Sequence, residues 1–328
     1  MMSQIRSLEI LDYHVAGEPL RIILPLSAIA GATMAEKAEK AMSLLHDERC
    51  LATAEPRGHR DIFAAFLTDS ISPDAHFGAL FCDGEIDSPF KGTCGHGAIA
   101  LAAAALNEGW ITPVNGPNIV HIDVPAGRVS LSVDWSNGSA GEITYRHVPS
   151  RLLASEQVYA TALGPVSGAL VAAGPQVLLV DAAKHNIEPD QHAAYVHYRA
   201  IQCGAEEAGL AMPDLVQFRW KEEGRLDFRS VTFFGQASFD RSPCGTATSA
   251  LVTYLASTGG MTAQDMLCNR TLWGTSFKAG VAATDESFPV ADMIRPKIRA
   301  RAFATGRSRL LLDRDDALTR GLPLFTLT

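Results

Sequence analysis

Two cysteines in this sequence stand in nearly the same local context. The segments CGHGA (residues 94–98) and CGTAT (residues 244–248) each lead from a polar loop into a run of small apolar residues, and they lie 150 positions apart. A cysteine at the start of a helix meets unpaired backbone N–H groups and the positive end of the helix dipole, which lower the pKa of a thiol. The repeated pattern therefore indicates two candidate reactive thiols, Cys94 and Cys244.

The same helix starts suit a substrate carboxylate, because their N–H groups bind anions. Two such starts facing each other would place a thiol on each side of one carbon. One thiolate could then remove a Cα proton while the opposite thiol delivers a proton to the other face, with the N–H groups stabilising the developing charge. The pattern predicts inversion at a Cα. The alternative, left open by the residues alone, is that both cysteines are inert core residues.

The elements around these cysteines are predicted from periodicity and from start and stop signals. Alanine-rich helices are expected at residues 95–107 and 245–258, each followed by glycine, and an amphipathic helix at residues 34–44. Other apolar segments, such as residues 227–234, alternate like strands. The length of 328 residues fits two domains. We expect a first domain of residues 1–150 plus 300–328 with Cys94, and a second of residues 151–299 with Cys244.

Composition limits the classes of function. The chain is 47% hydrophobic and 20% charged with a net charge of −8, which is typical of a globular protein and argues against a nucleic-acid partner. The first residues lack the apolar core of a signal peptide, and the most apolar stretch, residues 98–106, is far shorter than a membrane span of about 20 residues. The expectation is a cytoplasmic protein without a membrane partner. A homodimer is compatible with the sequence.

The same residues formally fit other chemistries, which their sequence context disfavours. Gly95-x-Gly97-x-x-Ala100 formally fits a dinucleotide fingerprint, but it follows a polar loop rather than a strand. Cys94-x-His96 could form half of a metal site, but no second ligand pair with suitable spacing appears. A cysteine hydrolase would leave one of the two cysteines unexplained.

Further polar residues near the N-terminus are expected to have structural roles. His14, Glu18, Glu55 and His59 are interpreted as bracing the first domain, and Asp12 is interpreted as a turn residue. None of the six cysteines forms a Cys-x-x-Cys pair, so all are expected to be free thiols.

At its cysteine segments the chain resembles the proline racemase family, which contains proline racemases, 4-hydroxyproline 2-epimerases and trans-3-hydroxyproline dehydratases. DRSPCGTATSA (residues 240–250) is similar to the second catalytic motif of the family and CGHG (residues 94–97) to the first. DYHVAGEPLR (residues 12–21), EPRGHRD (residues 55–61) and GTSF (residues 274–277) are similar to further family segments.

The resemblance implies an α/β, diaminopimelate-epimerase-like fold. In this fold two similar domains each wrap a curved, mostly antiparallel sheet around a central helix, with the active site in the cleft between them. It implies that Cys94 and Cys244 are the acid/base pair, and that no metal or other cofactor is used with the small amino-acid substrate. It also implies binding roles: the carboxylate would be held by Gly95, His96, Gly245 and Thr246, and the ring ammonium by Asp240 with help from His96.

The substrate is less defined, because the chain departs from the family pattern at the loop of residues 84–93 and at residues 173–175. In dehydratase members one cysteine position carries Ser or Thr, whereas here both are Cys, which favours epimerisation. We expect 4-hydroxyproline first and proline second. A polar partner for the ring hydroxyl could come from Glu85, Asp87, Ser88 or Lys91. The remaining alternatives are the dehydratase and an inactive, binding member of the family.

Overall fold

The computed structural model describes residues 6–24, 28–59, 61–85, 88–236, 238–282, 293–313 and 315–322. The chain divides into two compact units, one of residues 1–143 and 301–328 and one of residues 144–300, here called the first and second units. Cys94 lies in the first unit and Cys244 in the second.

Among its described residues, the first unit contains three helices, and all but one of its strands lie before residue 144. Its strands are β1 (Arg6–Val15), β2 (Glu18–Leu24), β3 (Phe63–Thr68), β4 (Phe77–Cys82), β5 (Gly116–Val124) and β6 (Gly127–Ser136). Its helices are α1 (Met34–Leu44), α2 (His46–Thr53) and α3 (Gly95–Asn107). Strand β7 (Ser139–Arg146) leads into the second unit.

The second unit contains two α-helices, α4 (Gln191–Glu207) and α5 (Gly245–Ser257), and a 3-10 turn (Ala182–His185) among its described residues. Its strands are β8 (Arg151–Tyr159), β9 (Val166–Ala172), β10 (Gln176–Asp181), β11 (Leu215–Lys221), β12 (Asp227–Phe234), β13 (Ser238–Asp240), β14 (Met266–Thr271), β15 (Ser276–Val281) and β16 (Pro296–Ala300). The last strand, β17 (Ala302–Leu312), returns to the first unit.

The two units share one succession of strand pairings. In the first unit the order is β17–β1–β2–β3–β4–β5–β6, parallel at β2–β3 and β4–β5 and antiparallel elsewhere. In the second unit the order is β8–β9–β10–β11–β12–β14–β15–β16, parallel at β10–β11 and β12–β14 and otherwise antiparallel. The sequence echo at the two cysteines therefore marks a repeat of topology: α3 and α5 each fill the crossover of the second parallel pair.

Each of these two helices is enclosed by the sheet of its own unit. Helix α3 is buried from His96 to Leu106 and contacts β1, β2, β3, β6 and β17. Because these strands include both ends of the strand order, the sheet must curve around the helix, and alanine side chains let the strands approach closely. Helix α5 likewise contacts β8, β9, β10, β11, β15 and β16. The predicted α/β fold class is confirmed.

The helix predictions agree closely with the structure. The amphipathic helix is found as predicted at Met34–Leu44, where the Thr33 hydroxyl accepts the Glu36 N–H (3.1 Å) and caps the first turn. The alanine-rich helices are found at Gly95–Asn107 and Gly245–Ser257. Helix α2 and several strands, β8 among them, were not anticipated. No helix in the described part of the chain is long and apolar enough to cross a membrane.

A buried histidine lies where the chain enters the second unit. His147 is 6% exposed, its backbone N–H donates to the Pro296 carbonyl (2.9 Å), and its ring packs edge-on against Tyr145. Its Nδ1 atom has no hydrogen-bond partner among the described residues. Burial lowers the pKa of His147 from 6.5 to about 4, so the folded protein holds this ring neutral.

This histidine should make the folded protein less stable as the pH is lowered. Between pH 6.5 and about 4 the unfolded chain binds a proton at His147 that the folded chain does not, so stability is full above pH 6.5 and decreases as the pH drops through this window. Over the whole window the free energy of unfolding decreases by about 3 kcal/mol because of this one group. We expect His147→Phe, which keeps the ring contact, to flatten the pH dependence of urea unfolding between pH 6.5 and 4.5. His192→Phe, at an exposed position, is the control, and an unchanged slope in His147→Phe would contradict the assignment.

Candidate active site

Cys94 caps the N-terminus of the enclosed helix α3. Its backbone is extended (φ −145°, ψ 110°), and its carbonyl accepts the Ala98 N–H (2.8 Å), the first hydrogen bond of the helix ladder. The N–H groups of Gly95 and His96 precede that bond and point out of the helix end. The sequence thus places Cys94, Gly95 and His96 together at one helix start, here called the first half-site, as predicted.

Two neighbours shape the surroundings of the Cys94 thiol. Its sulfur lies 3.4 Å from Nδ1 of His96, whose ring stands edge-on to Phe63. A Cβ atom on Gly97 would lie 2.5 Å from Phe81 and 3.0 Å from the Cys94 sulfur. Glycine is therefore required at position 97 for the thiol and the Phe81 ring to pack against the first turn. Cys94 as a whole is 8% exposed.

Cys244 caps α5 with a different backbone conformation. Its φ of 61° and ψ of 113° fall in a region that side chains with a Cβ rarely adopt. Its sulfur accepts the Ala247 N–H (3.5 Å), and its own N–H donates to the Ser242 hydroxyl (3.1 Å). Strained residues of this kind persist only where the surroundings hold them, and they cluster at functional sites.

Asp240 lies beside Cys244 and is fixed by a residue that the sequence analysis did not select. The Asp240 Oδ1 atom accepts both the backbone N–H (2.8 Å) and the hydroxyl (2.6 Å) of Ser242. Ser242 is 1% exposed and also accepts the Cys244 N–H, so it links the carboxylate to the cysteine. The Asp-x-Ser spacing is typical of such a local turn and could have revealed it. Asp240, Ser242, Cys244, Gly245 and Thr246 form the second half-site.

The electrostatics of the second half-site favour a neutral thiol. Burial raises the pKa of Cys244 well above the ordinary value, and the negative charge of Asp240 raises it further. Backbone N–H groups of Ala247 and Thr246 act in the opposite direction, but they are the weaker influence. The Cys244 thiol is therefore held in its protonated, neutral form.

The other four cysteines are not at helix starts. Cys50 lies within α2, Cys82 in β4, Cys203 within α4 and Cys268 in β14. Burial raises the pKa of Cys82 to about 12, which makes it an inert core thiol. Among the six cysteines, only Cys94 and Cys244 combine burial with a helix N-cap.

The interpretation of Asp12 as a turn residue was wrong. Asp12 lies within β1 opposite Arg21 of β2, and the two side chains form a two-pronged ion pair (2.9 and 3.1 Å). Arg21 also donates to the carbonyls of Ala52 and Arg57. The ion pair thus connects two motif segments of the first unit, residues 12–21 and 55–61, and has a structural role.

The polar groups of the loop before Cys94 are largely engaged within the first unit. Lys91 forms an ion pair with Asp83 (2.7 Å), and the Ser88 hydroxyl donates to Glu85 (3.1 Å). The Ser88 carbonyl accepts a hydrogen bond from the fully buried Arg49 (2.7 Å). Asp87, also considered for a ring hydroxyl, lies outside the described residues. Within the described part of the chain, no three His, Cys, Asp or Glu side chains are arranged to hold a metal ion.

The fold and the half-sites define a class of protein: two α/β units of one topology, each with a cysteine at the N-terminus of an enclosed helix. Comparison with known proteins agrees. The family model described as proline racemase matches residues 10–323. A proline racemase of Clostridioides difficile is 30% identical over 337 residues, covering 97% of this chain and 98% of the relative. A 4-hydroxyproline 2-epimerase of Chromobacterium violaceum is 31% identical over 325 residues, covering 97% and 100%.

Solved structures agree with the fold. A hydroxyproline epimerase from Agrobacterium vitis with bound trans-4-hydroxy-L-proline matches with a TM-score of 0.83 at 22% identity, over 99% of this chain and 96% of that one. The chain belongs to the proline racemase family. The relatives include proline racemases, hydroxyproline epimerases and trans-3-hydroxy-L-proline dehydratases. The predicted family and enzyme class, racemases and epimerases acting on proline-type amino acids, are confirmed.

The positive φ at Cys244 should be measurable as a cost in stability. We expect Cys244→Gly to be more stable than Cys244→Ala, because glycine adopts this conformation without strain. The matched control is the pair Cys94→Gly and Cys94→Ala, at a helix N-cap with an extended backbone. The general preference for glycine over alanine at a helix N-cap applies to both positions. The stability difference between the glycine and alanine variants should therefore be larger at position 244 than at position 94, by about 1–3 kcal/mol in urea unfolding. Equal advantages at the two sites would show that the conformation is not strained.

Proposed function

We propose that this protein is a cofactor-independent racemase or epimerase that inverts the Cα of a proline-type amino acid with two thiols. The observation that carries the proposal is the equivalence of Cys94 and Cys244. Each caps a helix enclosed in the same crossover of two units with one topology, and each is buried beside polar residues. Inversion requires one acid/base group on each face of the carbon, because a proton must leave one face and arrive at the other.

In the proposed reaction, the thiol that acts as the base in one direction of the inversion acts as the acid in the opposite direction. A Cys94 thiolate takes the Cα proton, the electron pair of the broken C–H bond delocalises into the carboxylate, and the Cys244 thiol gives its proton to the opposite face. The products are the inverted amino acid, a Cys94 thiol and a Cys244 thiolate, and the reverse reaction restores the starting state. The neutral state of Cys244 supports its role as the first donor.

The remaining residues of the half-sites would bind the substrate. The N–H groups of Gly95 and His96 at one helix end, and of Gly245 and Thr246 at the other, suit a carboxylate whose negative charge grows in the transition state. Asp240, held by Ser242, suits the ring ammonium, with His96 beside Cys94 as the second polar group. In this proposal the residues supply the charge stabilisation that a cofactor would otherwise provide.

We take 4-hydroxyproline as the first candidate substrate and proline as the second. The presence of cysteine at both acid/base positions supports reprotonation over loss of water, and so epimerisation over the dehydratase reaction. Proline gains support from the loop before Cys94: the Lys91–Asp83 and Glu85–Ser88 pairs satisfy polar groups that would otherwise favour a ring hydroxyl. The two candidates are separated by experiment.

A deuterium experiment tests the reaction. The enzyme is incubated in D₂O with the stereoisomers of 4-hydroxyproline, proline and trans-3-hydroxyproline, after dialysis against a chelator, and followed by NMR. We expect inversion of 4-hydroxyproline, or of proline, with deuterium entering the product early while recovered substrate keeps its Cα proton, because the incoming proton comes from a different group. Loss of water from trans-3-hydroxyproline without exchange in the other substrates would show a dehydratase. No reaction with any of them would favour a binding protein.

Substitution of single cysteines tests the two-thiol mechanism. Cys94→Ser and Cys244→Ser should each lower the racemisation rate at least about 100-fold, because a hydroxyl is a far weaker acid than a thiol and is hardly ever deprotonated to act as a base near neutral pH. Cys50→Ser, at a buried thiol within α2, and Cys203→Ser, at an exposed one, should stay within about twofold of the parent. Full activity of either Cys94→Ser or Cys244→Ser is incompatible with the proposal.

A further inference from the structure

The carbonyl group of Pro243, directly before Cys244, is a buried hydrogen-bonding centre. It accepts the Thr248 hydroxyl (2.9 Å), the Gln217 side-chain amide (3.3 Å) and the Asn269 side-chain amide (3.3 Å). All three donors are 0% exposed. They come from α5, β11 and β14, so three elements of the second unit converge on one carbonyl oxygen.

The donors are themselves held in place. The Gln217 amide also donates to Thr232 (3.2 Å), and the Asn269 amide also donates to the Thr248 hydroxyl (2.9 Å). Asn269 in turn accepts the Ser230 hydroxyl (2.9 Å). Buried amides and hydroxyls are costly unless bonded, so a network of this kind tolerates few alternative positions of the carbonyl.

The network determines the orientation of Cys244. The peptide before Cys244 is held at its carbonyl by the three donors and at its N–H by Ser242 (3.1 Å). The peptide after Cys244 is held at its carbonyl by the Thr248 N–H (2.8 Å). With both flanking peptides fixed, the backbone angles of Cys244 are fixed as well, including the φ of 61°. The direction of the Cα–Cβ bond that carries the thiol follows from those angles, and the contact of the sulfur with the Ala247 N–H (3.5 Å) holds its rotation about that bond.

We propose that Thr248, Gln217 and Asn269 are positioning residues that aim the Cys244 thiol at the reacting carbon through the Pro243 carbonyl. This inference rests on the proposed function, because that function defines which carbon reacts. The effect of these residues on the thiol itself can nevertheless be measured without a substrate. Misplacement of a reacting group by about 1 Å can cost about 100-fold in rate. The residues therefore act on the chemical step rather than on substrate binding.

The test compares substitutions at two threonines of helix α5, Thr248 and Thr253. Thr248→Val removes the hydroxyl with little change in volume, and Thr248→Ser retains it. The matched control is Thr253→Val: Thr253 is also 0% exposed in α5, and its hydroxyl donates to a backbone carbonyl, that of Ser249 (3.0 Å), rather than to Pro243. Both valine variants lose one buried hydrogen bond to a carbonyl. Thr248→Val loses it at the Pro243 carbonyl and also removes the hydroxyl that accepts the Asn269 amide, so it disturbs two of the three donors to that carbonyl.

We expect Thr248→Val to lower kcat about tenfold or more with KM within about twofold, and Thr248→Ser to restore most of the rate. Thr253→Val should also lower the thermal midpoint, by less than Thr248→Val because it removes one hydrogen bond rather than two, while leaving kcat unchanged. Equal kcat values in Thr248→Val and Thr253→Val would overturn the proposal. If Thr248→Val does not fold, Gln217→Met, which removes a donor from β11, takes its place under the same criteria.

A second readout does not depend on turnover. In a Cys94→Ser background, the alkylation rate of Cys244 by iodoacetamide is followed by peptide mass spectrometry. Thr248→Val should slow it about threefold or more, because a displaced sulfur loses the Ala247 N–H that stabilises its thiolate. Thr253→Val should not change it. This comparison holds even if no proline-type substrate reacts, so failure of the proposed function and failure of the positioning role give different results. Equal alkylation rates in all variants would overturn the inference.

Discussion

A helix enclosed by its own sheet can present only its ends to a ligand, and this constraint governs both units. Helix α3 is buried along almost its whole length, and its small side chains make that burial possible. The N–H groups of its first turn cannot all be satisfied within the helix. Anything placed at that end, whether a thiolate or a carboxylate, therefore meets a fixed set of donors that need no reorganisation during a reaction.

The two units apply this constraint in different ways. At Cys94 the backbone is extended and the polar neighbour is a side chain, His96, within 3.4 Å of the sulfur. At Cys244 the backbone has a positive φ, the sulfur accepts an N–H from its own helix, and a carboxylate stands beside it. One topology thus carries two chemically unequal thiols. A reaction that needs one thiol and one thiolate at the same time is helped by such inequality, because two identical sites would compete for the same charge state.

The sequence was most informative where local signals agree with the tertiary fold. Helices α1 and α3 were predicted to the residue, because a cap or a polar loop meets a clear apolar run. The repeat of Cys-Gly motifs anticipated the repeat of strand order. Strand β8 was missed because most of its residues are exposed, so its sequence lacks the clear alternation of a half-buried strand. Asp12 was misassigned because its ion-pair partner, nine residues away, is brought opposite only by strand pairing.

The contacts that orient Cys244 illustrate what a local pattern cannot contain. Gln217 and Asn269 each lie 26 positions from Pro243, on opposite sides in the sequence, and neither belongs to a motif that suggests chemistry. Their role follows only from the convergence of β11, β14 and α5 on one carbonyl. Thr248, by contrast, lies within the cysteine motif, but the sequence alone does not distinguish it from any other threonine in a helix. The local motif therefore identifies the cysteine, whereas the residues that hold the peptide before it are brought together only by the sheet that encloses the helix.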